Sequence, residues 1–350
     1  MYPHRIKSAI LDGVGDSFDY MAGGWTTNLQ DTDLTFVKLA DYCFGGGPHH
    51  CAFWDKDGPA VIADNIGKTI TDFRENPIGV PGNSTHGPEV VTYNDFKRLI
   101  LEIVYNPLRE FPMTAQILHE LSQSDGTTLA EWKRKNRAAT GEPLSDQCKK
   151  DGPYSPSCFK DSRIWDAMYG VTCSDALSLT DRTKEEYRKY VDSIKAQSRL
   201  IGEAWASILL PCTAWHARPH WRYDGNFRNK TANPILFAGN TIDPVTPLRN
   251  AFKMATGFEG AGVLHNDAEG HCTYASISMC TGRALREYFQ TGKLPGEKGS
   301  LDDYDGYGAL CEPSRQPFDG YDKDSAPPLP EGESDKELWE ALVALNQVWP

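Results

Sequence analysis

Two short apolar segments in the last third of the chain constrain its fold more than any other feature. Residues 234–238 (PILFA) and 262–266 (GVLHN) are too short for helices, and each leads into a polar turn. Helical patterns follow both turns. The first is expected to begin with Thr246 as its N-cap and Pro247 in the first helical position, and the second spans about 274–290. Strands that alternate with helices predict α/β architecture.

The first two thirds of the chain predict one further strand and a series of helices. Residues 7–11 (KSAIL) form a third short apolar segment, whereas residues 14–60 are rich in glycine and predict loops. The segment YNDFKRLILEIVY places its apolar residues on one helical face, with Asn94 or Asp95 as its cap. The segments PMTAQILHELSQ and LAEWKRK predict two more helices.

The pattern then changes from loop to helix. Residues 136–160 are polar and predict a loop, and residues 183–210 predict one long helix. Thr183 and Glu186 have the spacing of a capping box at the start of that helix. The C-terminal tail is rich in proline, aspartate and glycine and ends in a small amphipathic helix.

Charge and cysteine content limit the partners and the compartment. The net charge of −12 argues against nucleic acid and against an anionic membrane surface as partners. Nine cysteines in 350 residues indicate an oxidising compartment, and Asn83 and Asn229 stand in N-glycosylation sequons. Secretion is therefore expected, although the first residues contain no apolar signal-peptide region. No run of the sequence is long enough to cross a membrane.

An acid and a histidine follow the two strands. Asp243 lies after residues 234–238, and His271 lies in the segment DAEGHC after residues 262–266. This is the chain order of the acid and base in the Ser-His-Asp triad of α/β-hydrolases. There the histidine takes the proton of the serine hydroxyl, and the carboxylate fixes its tautomer. Because aspartate before proline is also a common turn former, the spacing alone leaves a structural role for Asp243 open.

Longer motifs give these residues a family context. The segment NPILFAGNTIDPVTPLRNA, the segment EGHCTYASISMCTGRALREYFQTGKLP and the opening YPHRIKSAILDGVGDSFDY resemble tripeptidyl-aminopeptidase-like serine peptidases of the prolyl-aminopeptidase class. The resemblance implies an α/β-hydrolase fold with Asp243 as the triad acid and His271 as the general base. It also implies a peptide substrate with a free N-terminus, which needs a carboxylate near the cleft, and it implies no cofactor.

The family's nucleophile is missing from the sequence. It should stand in a G-x-S-x-G turn before the strand at residues 7–11, and no serine has that context. Ser17 and Ser84 both lack the second glycine, and neither is expected between a strand and a helix. Met1 falls where the nucleophile helix should end, so we expect a chain whose true N-terminus is missing. Cys272 next to His271 is a conceivable substitute, but adjacent loop residues usually point apart, which favours a packed free thiol.

The resemblance also sets the expected domain organisation. We expect an incomplete α/β-hydrolase sheet, made of its C-terminal strands only, with a large helical lid insertion. The expected segments are a core remnant with a loop-rich part over 1–90, the lid over 91–230, the module that carries Asp243 and His271 over 231–311, and a tail over 312–350. Trp205, Trp215 and Trp221 are expected in the lid and its hinge, where they could line a substrate cleft, although packing is favoured.

The cysteines are expected to be structural. Cys280 with Cys311 would close a loop behind the last helix, and Cys173 with Cys212 resembles a family pair. Cys43 with Cys51 and Cys148 with Cys158 are predicted from their proximity in the sequence alone. The run His49-His50-Cys51 has no second ligand cluster at zinc spacing, so we expect no metal site.

Two functions remain open from the sequence. One is a fragment of a secreted serine exopeptidase that releases short peptides from free N-termini by acyl transfer, inactive alone because it lacks the nucleophile. The other is a pseudoenzyme or binding module derived from the same fold.

Overall fold

The computed structural model describes residues 2–140, 145–152, 155, 157, 164–296, 309–320 and 332–348. Its strands are β1 (Ile10–Asp12), β2 (Ile78–Val80), β3 (Glu89–Val91), β4 (Leu236–Ile242), β5 (Gly262–Glu269) and β6 (Ala309–Cys311). Its helices are α1 (Ser17–Met21), α2 (Leu34–Gly46), α3 (Pro59–Glu75), α4 (Tyr93–Tyr105), α5 (Pro107–Ser122), α6 (Thr127–Thr140), α7 (Asp146–Asp151), α8 (Ile164–Asp175), α9 (Lys184–Gln197), α10 (Gly202–Ser207), α11 (Leu248–Ala255), α12 (Met279–Thr291) and α13 (Glu333–Val348).

A parallel sheet in the order β1-β4-β5-β6 forms the centre of the described structure. The three predicted strands are present, each extending further towards its C-terminus than the apolar residues alone indicated. Strand β6 was not predicted, because it is only three residues long and its sequence has too few residues to show a pattern. The mixture of a parallel sheet with many helices is compatible with an α/β-hydrolase.

Both faces of the sheet are covered by helices, as parallel sheets require. Phe237 and Val263 belong to an apolar cluster with α11, whereas Leu236 and Leu264 on the opposite face pack with Tyr288 of α12. The alternation of these neighbours follows from the two-residue period of a strand. The runs PILFA and GVLHN are apolar at successive positions because each strand has two buried faces.

The remaining helices form a second, larger core. Residues from α2 to α6 and from α8 to α10 share one continuous apolar cluster. Helix α4 begins at the N-cap Thr92 with Asp95 completing a capping box, so neither Asn94 nor Asp95 is the cap itself. The antiparallel hairpin of β2 and β3, which the sequence did not predict, lies beside this cluster.

Residues 14–60 contain helices where the sequence predicted loops. Helix α2 buries Phe36, Leu39 and Ala40 and uses Gly45 and Gly46 in its last turn. Gly47, with φ of +74°, then ends the helix. The glycine run is therefore a helix terminus, and α3 follows it. Within the predicted loop 136–160, α6 continues to Thr140 and α7 forms as well.

The predicted helix over residues 183–210 is broken into α9 and α10. The capping box of Thr183 and Glu186 is present at its start. The helix ends at Ser198, where Asp33 binds the chain. The Asp33 carboxylate accepts hydrogen bonds from the Ser198 hydroxyl (2.5 Å) and from the Arg199 N–H (3.0 Å). Gly202 begins α10 close to the backbone of α9, where a Cβ atom would lie 2.7 Å from the carbonyl oxygen of Ile194.

Three of the predicted disulfides are present: Cys43–Cys51, Cys173–Cys212 and Cys280–Cys311. Cys148 is disulfide-bonded, and Cys158 lies outside the described residues, so the predicted Cys148–Cys158 pair is not described. Stable disulfides favour an oxidising compartment. Among the described residues, no helix combines the length and apolar character needed to cross a membrane.

We expect the disulfides to stabilise the fold according to the chain length that each one closes. Cys280 and Cys311 are 31 residues apart, and Cys43 and Cys51 are 8 apart. The double substitution Cys280→Ser/Cys311→Ser should lower the free energy of unfolding by about 3–4 kcal/mol, and Cys43→Ser/Cys51→Ser by about 2–3 kcal/mol. Urea unfolding followed by circular dichroism measures both, and an equal or reversed loss would contradict the expectation.

Candidate active site

The ends of two neighbouring strands bring Asp243 and His271 together. Strand β4 pairs in parallel with β5, with Ile242 opposite Glu269. Asp243 follows β4 directly, and His271 follows β5 after Gly270, so both side chains lie at the C-terminal edge of the sheet. The imidazole Nδ1 is 3.2 Å from Asp243 Oδ2 and 3.3 Å from Oδ1. A carboxylate at this distance can orient an imidazole.

The Asp243 carboxylate is fully buried, with 0% of its residue surface exposed. Its Oδ1 accepts the backbone N–H groups of Val245 (3.0 Å) and Thr246 (2.8 Å). Its Oδ2 accepts hydrogen bonds from the Cys272 N–H (3.0 Å) and from the Thr246 hydroxyl (2.8 Å). Four fixed donors therefore replace the water that the carboxylate loses, as a buried charge requires. The predicted role of Thr246 as helix cap is wrong: Pro247 occupies the N-cap position, and the Thr246 hydroxyl binds Asp243.

The His271 loop is fixed by its backbone. The His271 N–H donates to the Tyr105 carbonyl at the end of α4 (2.9 Å), and the two rings meet edge to face at 5.0 Å. Gly270 has φ of +106°, and a Cβ atom there would lie 2.6 Å from the Cβ of Ala275 and 2.7 Å from Pro107 Cδ. Only glycine fits this turn, so the sequence EGHC holds the imidazole against the sheet edge.

The electrostatics of the pair favour the imidazolium. Burial lowers the pKa of His271, but the Asp243 carboxylate and its hydrogen bond outweigh this effect and raise the pKa to about 10. Among the described residues, the hydrogen bonds of the ring that meet normal geometry all involve Nδ1. Nε2 makes no hydrogen bond of normal geometry within the described part of the chain.

Cys272 lies beside the imidazole, contrary to the expectation that the two side chains point apart. A Cβ atom on Gly13 would overlap Cys272 Sγ and would lie 3.0 Å from His271 Cε1, so both side chains face the same turn after β1. The thiol is free and buried, as predicted, and its S–H donates to the Asp12 carbonyl (3.5 Å). Burial raises the pKa of the Cys272 thiol, although the His271 charge opposes this shift. A buried neutral thiol is a poor nucleophile.

The next residue ties the loop to β1. The Thr273 backbone N–H and hydroxyl both donate to the Asp12 carboxylate, at 3.0 Å and 2.7 Å for the closest contacts. Burial raises the pKa of Asp12, and the hydrogen bonds from Thr273 oppose this shift. Strand β1 therefore contributes an anchor for the His271 loop, which the sequence alone did not reveal.

A cavity of about 1050 Å³ opens in front of the imidazole. His271 and Thr246 line it from the loops that follow the sheet, and residues of α4, α8 and α10 line it as well. Helix α4 turns one face into the cavity, since its lining residues recur at intervals of three or four. These residues are Arg98, Leu101, Glu102 and Tyr105. Trp205 lines the cavity as well, whereas Trp221 is 66% exposed and does not pack as predicted.

Ser17 lies on the cavity wall at the first residue of α1, shortly after β1. The expectation that Ser17 lacks a strand-to-helix context is therefore wrong. The turn that carries it spans several residues and contains Asp16, whose carboxylate caps α1 and binds Lys253. None of the hydrogen bonds that the described part of the chain makes to the imidazole comes from Ser17.

The other candidate sites lie away from this edge. Asn83 and Asn229 are both exposed, and their glycosylation stays a prediction. The described residues contain no group of histidine, cysteine, aspartate and glutamate side chains able to hold a metal ion. Cys51 of the run His49-His50-Cys51 is bound in a disulfide.

We expect Asp243→Asn to lower the pKa of His271 from about 10, because the charge and the hydrogen bond that most strongly oppose the effect of burial are then removed. NMR titration of labelled histidine measures the change. A folded-state pKa above the unfolded value of about 6.5 stabilises the fold fully below pH 6.5, and this stabilisation is lost as the pH rises through about 10. Urea unfolding of the variant should lack that pH dependence. An unchanged pKa would contradict the Asp243–His271 contact.

Comparison with known families gives a match for this chain. Among curated proteins, none matches the chain. Residues 198–301 match the Abhydrolase_4 family model, which is described as TAP-like protein. The matched segment contains β4, α11, β5 and α12 together with Asp243 and His271. This part of the chain is therefore similar to the TAP-like domain, which supports a hydrolase of the α/β-hydrolase, TAP-like family.

Proposed function

We propose that this chain carries the base and the orienting acid of a serine hydrolase that works by acyl transfer. His271 Nε2 takes the proton of an attacking alcohol and later returns it to the leaving amine, while Asp243 holds Nδ1 and stabilises the imidazolium. The observation that carries the proposal is the contact of Nδ1 with the buried carboxylate, at 3.2 Å, beside a large cavity.

We further propose that the chain alone does not complete this reaction. The sequence has no G-x-S-x-G turn, and Cys272 is buried with its S–H directed at the Asp12 carbonyl. Removal of a triad nucleophile costs about a million-fold in kcat in a serine peptidase. His271 and Asp243 would then act only when an alcohol from outside the described residues reaches Nε2.

The cavity suits a short peptide with a free N-terminus. Its walls carry the aromatic rings of Tyr20, Trp25, Tyr169 and Trp205, which suit apolar side chains. Glu102 lies one helical turn before Tyr105 on the same face of α4, about 4.5 Å along the helix axis. Trp132 Nε1 donates to Glu102 Oε2 at 2.9 Å and holds the carboxylate in place. We propose Glu102 as the group that binds the substrate amine.

The surrounding elements take corresponding roles in this proposal. Helices α4, α8 and α10 act as the lid in this proposal, which is supported by the residues that each of them contributes to the cavity lining. The disulfides and exposed sequons suit a secreted protein.

A binding module without catalysis is the second candidate. The observation that favours it is the formed cavity combined with a sequence that contains no G-x-S-x-G turn. Such a module would bind the same peptides and release them unchanged. The two candidates differ in whether His271 exchanges a proton with the bound molecule.

We expect a tripeptidyl chloromethyl ketone with a free N-terminus to alkylate His271. Neutral Nε2 displaces chloride from the methylene carbon, so a nitrogen–carbon bond forms and chloride leaves. Because the Asp243 carboxylate raises the pKa of His271 to about 10, the labelling rate should rise with pH up to about 10. Peptide mapping by mass spectrometry identifies the labelled residue.

His271→Gln is the control for this labelling and should abolish it. Asp243→Asn should slow the labelling at pH 10, because the amide no longer keeps the proton on Nδ1 and Nε2 must be unprotonated to displace chloride. A fluorophosphonate probe, which reacts with an activated serine, should label none of these proteins. A labelling rate of the parent chain that levels off near pH 6.5, or labelling of another residue, would contradict the proposed Asp243–His271 pair. Stoichiometric fluorophosphonate labelling would contradict the proposal that the chain lacks an activated serine.

Glu102→Gln should weaken the binding of apolar tripeptides with a free N-terminus by about tenfold or more, because a charge-assisted hydrogen bond contributes roughly 1.5–3 kcal/mol. Tripeptides with an acetylated N-terminus should bind weakly and equally to both proteins. Isothermal titration calorimetry measures the affinities. Glu203→Gln, at a carboxylate that pairs with Lys97, is the matched control and should leave binding unchanged. Equal affinity of Glu102→Gln and the parent chain would exclude Glu102 as the amine site.

A further inference from the structure

The Thr246 hydroxyl lies between the two members of the proposed catalytic pair. Its Oγ1 is 2.8 Å from Asp243 Oδ2 and 3.0 Å from His271 Nδ1. The direct distances from Nδ1 to the carboxylate oxygens are longer, 3.2 and 3.3 Å. The closest hydrogen-bond partner of the imidazole is therefore Thr246.

The direction of these hydrogen bonds follows from the donors present. Both oxygens of Asp243 accept hydrogen bonds from backbone N–H groups. A carboxylate accepts in this way and has no proton to donate. The single proton of the Thr246 hydroxyl therefore points to Oδ2. Its lone pairs then face Nδ1, which must carry a proton, because two facing lone pairs would repel each other.

From this geometry we propose that Thr246 is a positioning residue that relays the Asp243 charge to His271. The chain of hydrogen bonds runs from Nδ1–H to the Thr246 oxygen and from its O–H to Oδ2. It fixes the proton on Nδ1, so that in the neutral ring Nε2 is the unprotonated nitrogen. Hydrogen bonds in such a chain polarise one another, which makes the hydroxyl oxygen a stronger acceptor for the imidazolium.

The backbone makes Thr246 suited to this task. Its own N–H binds Asp243 Oδ1, so the hydroxyl and the main chain of one residue hold both oxygens of the carboxylate. Pro247 follows and fixes the chain direction at the start of α11. The role of Thr246 in catalysis rests on the proposed function. The hydrogen bonds that it makes to Asp243 and His271 do not.

Substitution of the hydroxyl tests the relay. Thr246→Val keeps the shape of the side chain and removes the oxygen, whereas Thr246→Ser keeps the oxygen and removes the methyl group. NMR of protein with ¹⁵N-labelled histidine measures how fast the Nδ1 proton of His271 exchanges with water. We expect about a fivefold or greater acceleration in Thr246→Val, because one hydrogen bond of about 1 kcal/mol is lost. Thr246→Ser should exchange at the parent rate.

Two outcomes would overturn the relay. One is an exchange rate in Thr246→Val equal to that of the parent chain, and the other is equal acceleration in Thr246→Ser and Thr246→Val, which would assign the effect to the methyl group. The pKa of His271 in Thr246→Val should stay above 6.5, since Asp243 remains beside it. The exchange measurement needs no turnover, so it can fail while the chloromethyl ketone still labels His271, and it can succeed while that labelling fails.

Discussion

The burial of one carboxylate organises this end of the molecule. Asp243 has lost all contact with water, and such a charge is stable inside a protein only where fixed donors replace the solvent. Those donors come from two loops that are distant in sequence: Val245 and Thr246 directly after β4, and Cys272 after β5. The requirement to satisfy Asp243 therefore sets the path of both loops, and the position of His271 follows from it.

The parallel sheet makes this arrangement possible. Because β4 and β5 run in the same direction, their C-terminal ends meet at one edge, and the loops that follow them can share a carboxylate. Strand β1 joins on the other side of β4, and its Asp12 accepts two hydrogen bonds from Thr273. Three strand ends thus hold a single stretch of three residues, His271 to Thr273. Helix α4 adds the fourth restraint through the Tyr105 carbonyl.

The sequence predicted those parts of the site that depend on local order along the chain. Asp243 and His271 were recognised because each follows a short apolar strand, and three disulfides were predicted correctly. Thr246 was misassigned because threonine before proline has the local pattern of a helix cap, whereas a buried anion 3 residues earlier competes for the same hydroxyl. The break after α9 was missed because Asp33, 165 residues away from Ser198, causes it. Glu102, which we propose as the amine site, was not singled out for a related reason: its place in the cavity lining depends on how α4 packs.

The same contacts that hold His271 also oppose its use as a base. The Asp243 carboxylate keeps the imidazole protonated near neutral pH, which is its state after it has accepted a proton. Burial lowers the pKa of His271 and is the largest single influence on that pKa. In the proposed reaction, a peptide that fills the cavity would displace water from the ring and so strengthen the lowering effect of burial on the pKa of His271.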